Sequence, residues 1–92
     1  MEQINKVHEY IALIRKEAET DYWVTIPDIP GCYATGETAD DAIIYFQQAL
    51  ESHIVCMRES DLRLPPARTL REVSEKEKEY IEAFVIEVAQ RA

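Results

Sequence analysis

The sequence predicts an α+β domain in which three β-strands precede one long α-helix. Residues 8–19 contain the unbroken apolar run YIALI, which is typical of a central strand that is buried on both faces. Residues 22–26 (YWVTI) are five strong β-formers. Apolar residues then recur at helical spacing between positions 39 and 57. Together these patterns favour a small sheet with a helix packed across it.

The second predicted strand has two different faces. Its alternation places Tyr22, Val24 and Ile26 on one face, and Trp23 and Thr25 on the other. A turn over residues 18–21 joins it to the first strand. We expect the first of these faces to meet the helix.

A turn rich in proline and other turn-forming residues follows the second strand. Pro27 lacks an N–H and cannot continue the ladder, and Asp28 favours a turn because its carboxylate can hydrogen-bond the backbone two residues on. Pro30 fixes one φ angle and Gly31 frees the next, as a tight reversal requires. The chain then returns as a third strand, CYATG, residues 32–36. We predict that the glycine ending it, at position 36, lets the chain leave at an angle closed to other residues.

The long helix has a clear start. Thr38 is a good N-cap residue, and Asp40 and Asp41 fall in the first turn, where the helix dipole favours negative charge. The helix is predicted to run to about Arg58. Its predicted buried stripe consists of Ala39, Ala42, Ile43, Phe46, Ala49, Leu50, His53 and Met57.

The last third of the sequence is less decisive. Residues 62–70 (LRLPPARTL) are predicted to form a loop because Pro65-Pro66 is incompatible with a helix. Beyond it, an apolar spacing through residues 80–88 fits a helical stripe, yet AFVIEV (83–88) also fits a strand. Periodicity alone leaves both structures open.

Composition limits the classes of function. The formal net charge of −8 argues against direct binding of nucleic acid or of acidic membranes, and favours a basic partner. Solubility alone is the alternative explanation of this charge. Two cysteines are too few for a disulfide framework, and the amino-terminal residues lack the apolar region of a secretion signal. We therefore expect one domain in the cytoplasm, with reduced thiols and no membrane span.

Two groups of side chains could suggest chemistry. Asp28, Glu37, Asp40 and Asp41 could be the carboxylates of a nuclease, but turn and helix-cap roles account for them better. His53 and Cys56 are three residues apart on the helix, a spacing that can share a metal, but two ligands do not make a site and both are expected in the core. We predict no catalytic residue, no metal and no cofactor.

Apolar side chains that the predicted core does not bury say more about function than these polar groups do. One helix covers one face of a sheet, so Trp23 and Tyr33 should point to solvent on the other face. The residues Ile44, Tyr45 and Val55 lie off the buried stripe of the helix. We interpret these five residues as a partner or oligomer interface, with scattered surface hydrophobes as the alternative. We also predict a homodimer or higher even oligomer, formed through the sheet face or through the edge of segment 83–88.

Residues 22–50 resemble the N-terminal domain of the HicB family of antitoxins. The hallmark is a strand that ends in Pro-Asp-x-Pro-Gly-Cys, followed by x-Thr-Gly and by a Thr and acidic residues that open an Ala-rich helix. The matching residues here are Pro27, Asp28, Pro30, Gly31, Cys32, Thr35, Gly36, Thr38, Asp40, Asp41 and Ala42. The LPPAR loop (64–68) and the strand before the motif also match.

The resemblance implies a β-β-β-α-β fold, which is a partly eroded ribonuclease-H-like sheet with one long helix on one face. It also implies that residues 83–88 form a fourth strand at the sheet edge, beside the first strand. The implied partner is a small basic toxin of the HicA type, an mRNA interferase. On this basis the function expected is that of an antitoxin of a type II toxin-antitoxin system.

Family antitoxins usually continue into a DNA-binding domain, and the 92 residues here leave no room for one after the last strand. We therefore expect residues 1–92 to form a single, stand-alone HicB-like domain. A stand-alone oligomeric scaffold or regulator with another cytoplasmic partner is the alternative function.

Overall fold

The computed structural model describes the backbone of residues 5–91 and the side chains of residues 8–88. The elements are β1 (Asn5–Arg15), β2 (Tyr22–Thr25), β3 (Tyr33–Gly36), α1 (Ala39–Glu59), α2 (Leu70–Lys76) and β4 (Glu82–Arg91). The first four residues, on which the predicted absence of a secretion signal partly rests, lie outside the described part. Neither described helix is long and apolar enough to cross a membrane.

The strands form one antiparallel sheet in the order β3-β2-β1-β4. β4 pairs with β1 along its whole length, from Asn5↔Arg91 to Ile14↔Glu82. The predicted α+β fold is therefore confirmed, and so is the strand structure of residues 83–88. The helical alternative is wrong because ten consecutive residues pair with the central strand.

One side of the sheet packs against α1. Ala42, Phe46 and Leu50 are the deeply buried residues of the helix, and Ile43, Ala49 and Ile54 pack partly buried beside them. The buried sheet and loop residues of this core are Tyr10, Ala12, Ile14, Val24, Ile26, Ile29, Cys32, Ala34 and Val88. The buried stripe is narrower than predicted, since His53 and Met57 are only partly buried.

The other side of the sheet carries a second helix, α2, which the sequence patterns did not predict. Its single buried residue, Val73, packs against Ile11 and Leu13 of β1. Thr69 caps α2, and the Thr69 side chain and Glu72 form a reciprocal capping box with the backbone. One buried apolar residue in seven gives no periodic signal. Yet α2 explains the unbroken apolar run in β1, because α1 packs on one side of this strand and α2 packs on the other.

The loop between the helices is fixed to the core from two sides. The buried Tyr10 hydroxyl donates a hydrogen bond to the Pro65 carbonyl oxygen. The Asp28 carboxylate accepts from the backbone N–H and the Nε of Arg68, at 2.7 and 2.5 Å. Leu64 and Ala67 pack against the core. These contacts give the LPPAR segment a defined path around the sheet, from α1 on one side to α2 on the other.

Candidate partner-binding face

Within residues 5–91, no helix covers the half of the sheet formed by β2 and β3 on the side that faces away from α1. Four side chains alternate outward there: Trp23, Thr25, Tyr33 and Thr35, which we call the Trp23 face. The register places Trp23 opposite Thr35 and Thr25 opposite Tyr33. Trp23 is 37% exposed and Tyr33 is 64% exposed. The face is therefore a small aromatic surface on a rigid sheet, which suits a protein contact.

Acidic residues surround the Trp23 face. Shallow grooves beside the Trp23 indole are lined by Glu17 and Asp21 on one side, and by Glu17 and Glu79 on the other. Arg15 also lies there, but its guanidinium pairs with Glu77, with Nη2 and Oε1 2.5 Å apart. Lys16 lines the same groove as Glu17 and Glu79. Outside the Arg15–Glu77 pair, three carboxylates therefore border the indole against one cation. This excess of negative charge beside an aromatic ring favours a basic side chain of a partner.

The turn over residues 27–32 borders the Trp23 face on a side away from these two grooves. Gly31 has φ of +89°, a conformation that residues with a Cβ rarely adopt. Ile29 donates its N–H to the carbonyl of Ile26 at 2.9 Å and is buried. Cys32 is also buried, and burial raises the pKa of its thiol. A groove beside this turn is also lined by Trp23, Thr25 and Tyr33.

Two local explanations from the sequence are wrong in their physical detail. The Asp28 carboxylate bonds Arg68, forty residues away, and a local bond two residues on cannot form because Pro30 has no N–H. Gly36 does not lie in the left-handed region, so its angle is open to other residues. A Cβ at position 36 would instead lie 2.5 Å from the backbone nitrogen of Ala42. Gly36 is thus required by the close approach of β3 to the start of α1.

The acidic residues at the start of α1 have structural partners. The Thr38 hydroxyl accepts from the Asp41 N–H at 3.1 Å, as an N-cap does. No group of three or more His, Cys, Asp or Glu residues with metal-binding geometry occurs within the part of the chain described. His53 is partly buried, whereas Cys56 is exposed, so the expectation of a core cysteine at that position is wrong.

The five residues predicted as an interface do not form one surface. All five are exposed, but only Trp23 and Tyr33 share the Trp23 face. Ile44, Tyr45 and Val55 lie on the outer side of α1, beyond the opposite side of the sheet. Sequence reasoning placed Thr25 beside Trp23 but missed Glu17, Asp21 and Thr35, since only the folded structure shows that they border or complete the face.

A family model matches residues 10–90, and its description is "HicB_like antitoxin of bacterial toxin-antitoxin system". The chain belongs to this HicB-like antitoxin family. The resemblance seen in the motif is therefore confirmed. The N-terminal domain of Burkholderia pseudomallei antitoxin HicB is 32% identical, with a TM-score of 0.67 over 87% of this chain and 94% of that one.

Three further proteins are similar to this chain. The structure described as the "HicA3 and HicB3 toxin-antitoxin complex" is 26% identical, with a TM-score of 0.60 over 74% of this chain and 79% of that chain. An uncharacterised 14.9 kDa protein of Haemophilus phage HP1 is 35% identical over 51 residues. That alignment covers 55% of this HicB-like chain and only 38% of the phage protein. The UPF0150 protein Ta0767 of Thermoplasma acidophilum is 28% identical over 57 residues, which make up 83% of its length.

Proposed function

We propose that this HicB-like chain is a non-catalytic antitoxin that binds and neutralises a small basic toxin of the HicA type. The observation that carries the proposal is the Trp23 face, an exposed aromatic surface bordered by Glu17, Asp21 and Glu79. A structural relative is a HicA3 and HicB3 complex, which supports a toxin of that class as the partner.

The two parts of this face contribute differently to binding. Trp23 and Tyr33 supply rigid aromatic area that loses little conformational entropy on binding. The carboxylates beside Trp23, with the overall charge of −8, accelerate encounter with a basic protein. Neutralisation then follows from steric coverage of the basic surface with which a ribonuclease toxin binds RNA, and no residue of this chain needs to react.

Co-expression with a HicA-type toxin from the same genome tests the proposal. We expect the wild-type chain to restore growth and to form a complex in titration calorimetry. Trp23→Ala and Tyr33→Ala should each weaken binding by tenfold or more, which corresponds to at least about 1.4 kcal/mol. Asp21→Asn should lower the association rate at low salt and change the dissociation rate little.

Tyr45→Ala is the matched control, because Tyr45 is 51% exposed but lies on the outer side of α1. We expect its affinity to equal that of the wild type. Failure of the wild-type chain to bind any HicA-type toxin would contradict the proposed function. A loss of binding in Tyr45→Ala with none in Trp23→Ala would place the contact on α1 instead.

A further inference from the structure

The free edge of β4 is the longest unpaired strand edge of the described structure. β4 has ten residues and pairs with β1 on one side, and within residues 5–91 no strand pairs with its other side. Natural proteins protect such edges with proline, bulges, inward charges or a covering segment. β4 contains no proline or glycine, and residues 83–86 are the uncharged run AFVI. An edge of this kind is a template for another strand.

The core beside this edge is incompletely covered. α1 packs mainly over β2 and β3, and it leaves a groove along β4 that is lined by Ile43 and Gln47 of the helix and by Phe84 and Ile86 of the strand. Phe84 and Ile86 are therefore only partly buried. On the opposite side of the sheet, Val85 is 51% exposed. A strand added to this edge would bury apolar side chains on both sides of the sheet.

The sequence of β4 fits a second copy of itself in one antiparallel register. A two-fold axis through Val85, perpendicular to the sheet, places Val85 opposite Val85 of the second copy and Phe84 opposite Ile86. The same register places Glu87 opposite Ala83 and Glu82 opposite Val88. No two carboxylates meet, although each copy carries a charge of −8. By contrast, an axis through position 87 would bring two Glu87 carboxylates together.

We propose that two copies of this chain associate through their β4 edges and form one continuous eight-stranded sheet centred on Val85. The central run AFVI is uncharged, and in this register Glu82 and Glu87 of each copy meet apolar residues of the other, so a second copy supplies a complementary strand with the same apolar residues. Both α1 helices then lie on one side of the sheet and both Trp23 faces lie on the other. Five strand spacings separate the two β2 strands, which places these strands about 24 Å apart across the sheet.

Cysteine cross-linking tests the register. In a Cys56→Ser background, which removes the exposed thiol, Val85→Cys should form an intermolecular disulfide on mild oxidation. Opposed residues of an antiparallel pair have Cα atoms about 4.5–5.5 Å apart, within the range that a disulfide spans. Val55→Cys in the same background is the matched control, since Val55 is 47% exposed on α1. Equal cross-linking of the two variants would overturn the proposal.

Solution mass tests the association itself. Wild type and Trp23→Ala should both have a dimeric mass at high micromolar concentration, and Val85→Lys should be a folded monomer. A wild-type monomer, or a Val85→Lys protein that stays dimeric, would overturn the proposal. The Val85→Lys monomer should retain affinity for a HicA-type toxin, so this inference and the proposed function can fail independently of each other.

Discussion

The side of the sheet that faces away from α1 has two halves that differ in what covers them. Over β1 and β4, α2 buries Ile11 and Leu13 against Val73. Over β2 and β3, Trp23 and Tyr33 remain exposed. Both halves carry large apolar side chains, so hydrophobicity alone does not separate core from contact surface. The difference lies in which later segment of the chain returns to each half.

The size of α2 limits how much it covers. Seven residues make a helix about 10 Å long, and a helix with its side chains is about 10 Å wide, which matches roughly two strand spacings. Arg15 borders the two halves, because it pairs with Trp23 in the register and also donates to the Glu79 carbonyl at 3.0 Å. The segment after α2 is thereby held at the edge of the Trp23 face and does not extend over it.

Truncating a side chain should destabilise the fold far more on the half that α2 covers than on the exposed half. Leu13 is fully buried between the sheet and α2, so Leu13→Ala should destabilise the fold by about 2–5 kcal/mol. Tyr33→Ala, on the exposed half, should change the free energy of unfolding by about 0.5 kcal/mol or less. Urea denaturation of both variants measures this contrast. Equal losses would mean that the Trp23 face is part of the folding core.

The sequence patterns predict β1, β2, β3 and α1, because each has a clear apolar, alternating or helical pattern. They do not decide β4, since residues 80–88 fit a helix and a strand alike, and the strand was predicted from the family resemblance. The patterns also do not predict α2, since Val73 alone is buried and a short helix held by a capping box and a tertiary contact leaves no apolar stripe. Sequence reasoning predicted that Trp23 and Tyr33 are exposed, but it did not predict the acidic residues that border them. Alternation in β2 shows that Trp23 points away from Val24, but its acidic border depends on strand register and on the position of residues 77–81.

The link between Asp28 and Arg68 is expected to hold the loop that leads into α2. The Asp28 side chain is only 6% exposed, so Asp28→Asn removes the charge from a buried pair and should cost about 1–3 kcal/mol. Amide exchange should show the loss mainly in α2 and in the loop before it. Glu75→Gln is the control, since the pair of Arg71 and Glu75 is almost fully exposed and should contribute little. Indistinguishable effects of the two substitutions would show that the Asp28 link does not support the covered half.

The same loop is also held by the hydrogen bond from the Tyr10 hydroxyl. This bond should make the free energy of unfolding change with pH in the alkaline range. Tyr10→Phe leaves the Pro65 carbonyl without its donor and should cost about 1–2 kcal/mol near neutral pH. Burial, and then the nearby Asp28 charge, raises the pKa of Tyr10 above its ordinary 10.0. The folded state therefore favours the neutral phenol, and this stabilisation is complete below pH 10 and is lost as pH rises through the folded pKa. The advantage of wild type over Tyr10→Phe should shrink above pH 10, and a gap that stays constant in alkaline denaturation series would contradict this account.

The smallest expected effect concerns the capping box of α2. Hydrogen bonds from the Thr69 backbone and side chain lower the pKa of Glu72 below its ordinary 4.5. A lowered pKa means that the ionised carboxylate stabilises the fold above pH 4.5, and that this contribution is lost as pH falls through the folded pKa. In wild type, amide protection of α2 should therefore decrease between pH 5 and pH 3, while Glu72→Gln should start lower and change less. Glu75→Gln, on the same helix but outside the box, should behave like wild type. Because the hydrogen bonds of Glu72 are made to Thr69 at the start of α2, amides of β2 and β3 should keep their protection through the same titration. A parallel loss in those strands would show that the two halves of the sheet surface unfold as one unit, and that α2 stabilises the Trp23 face as well as its own half.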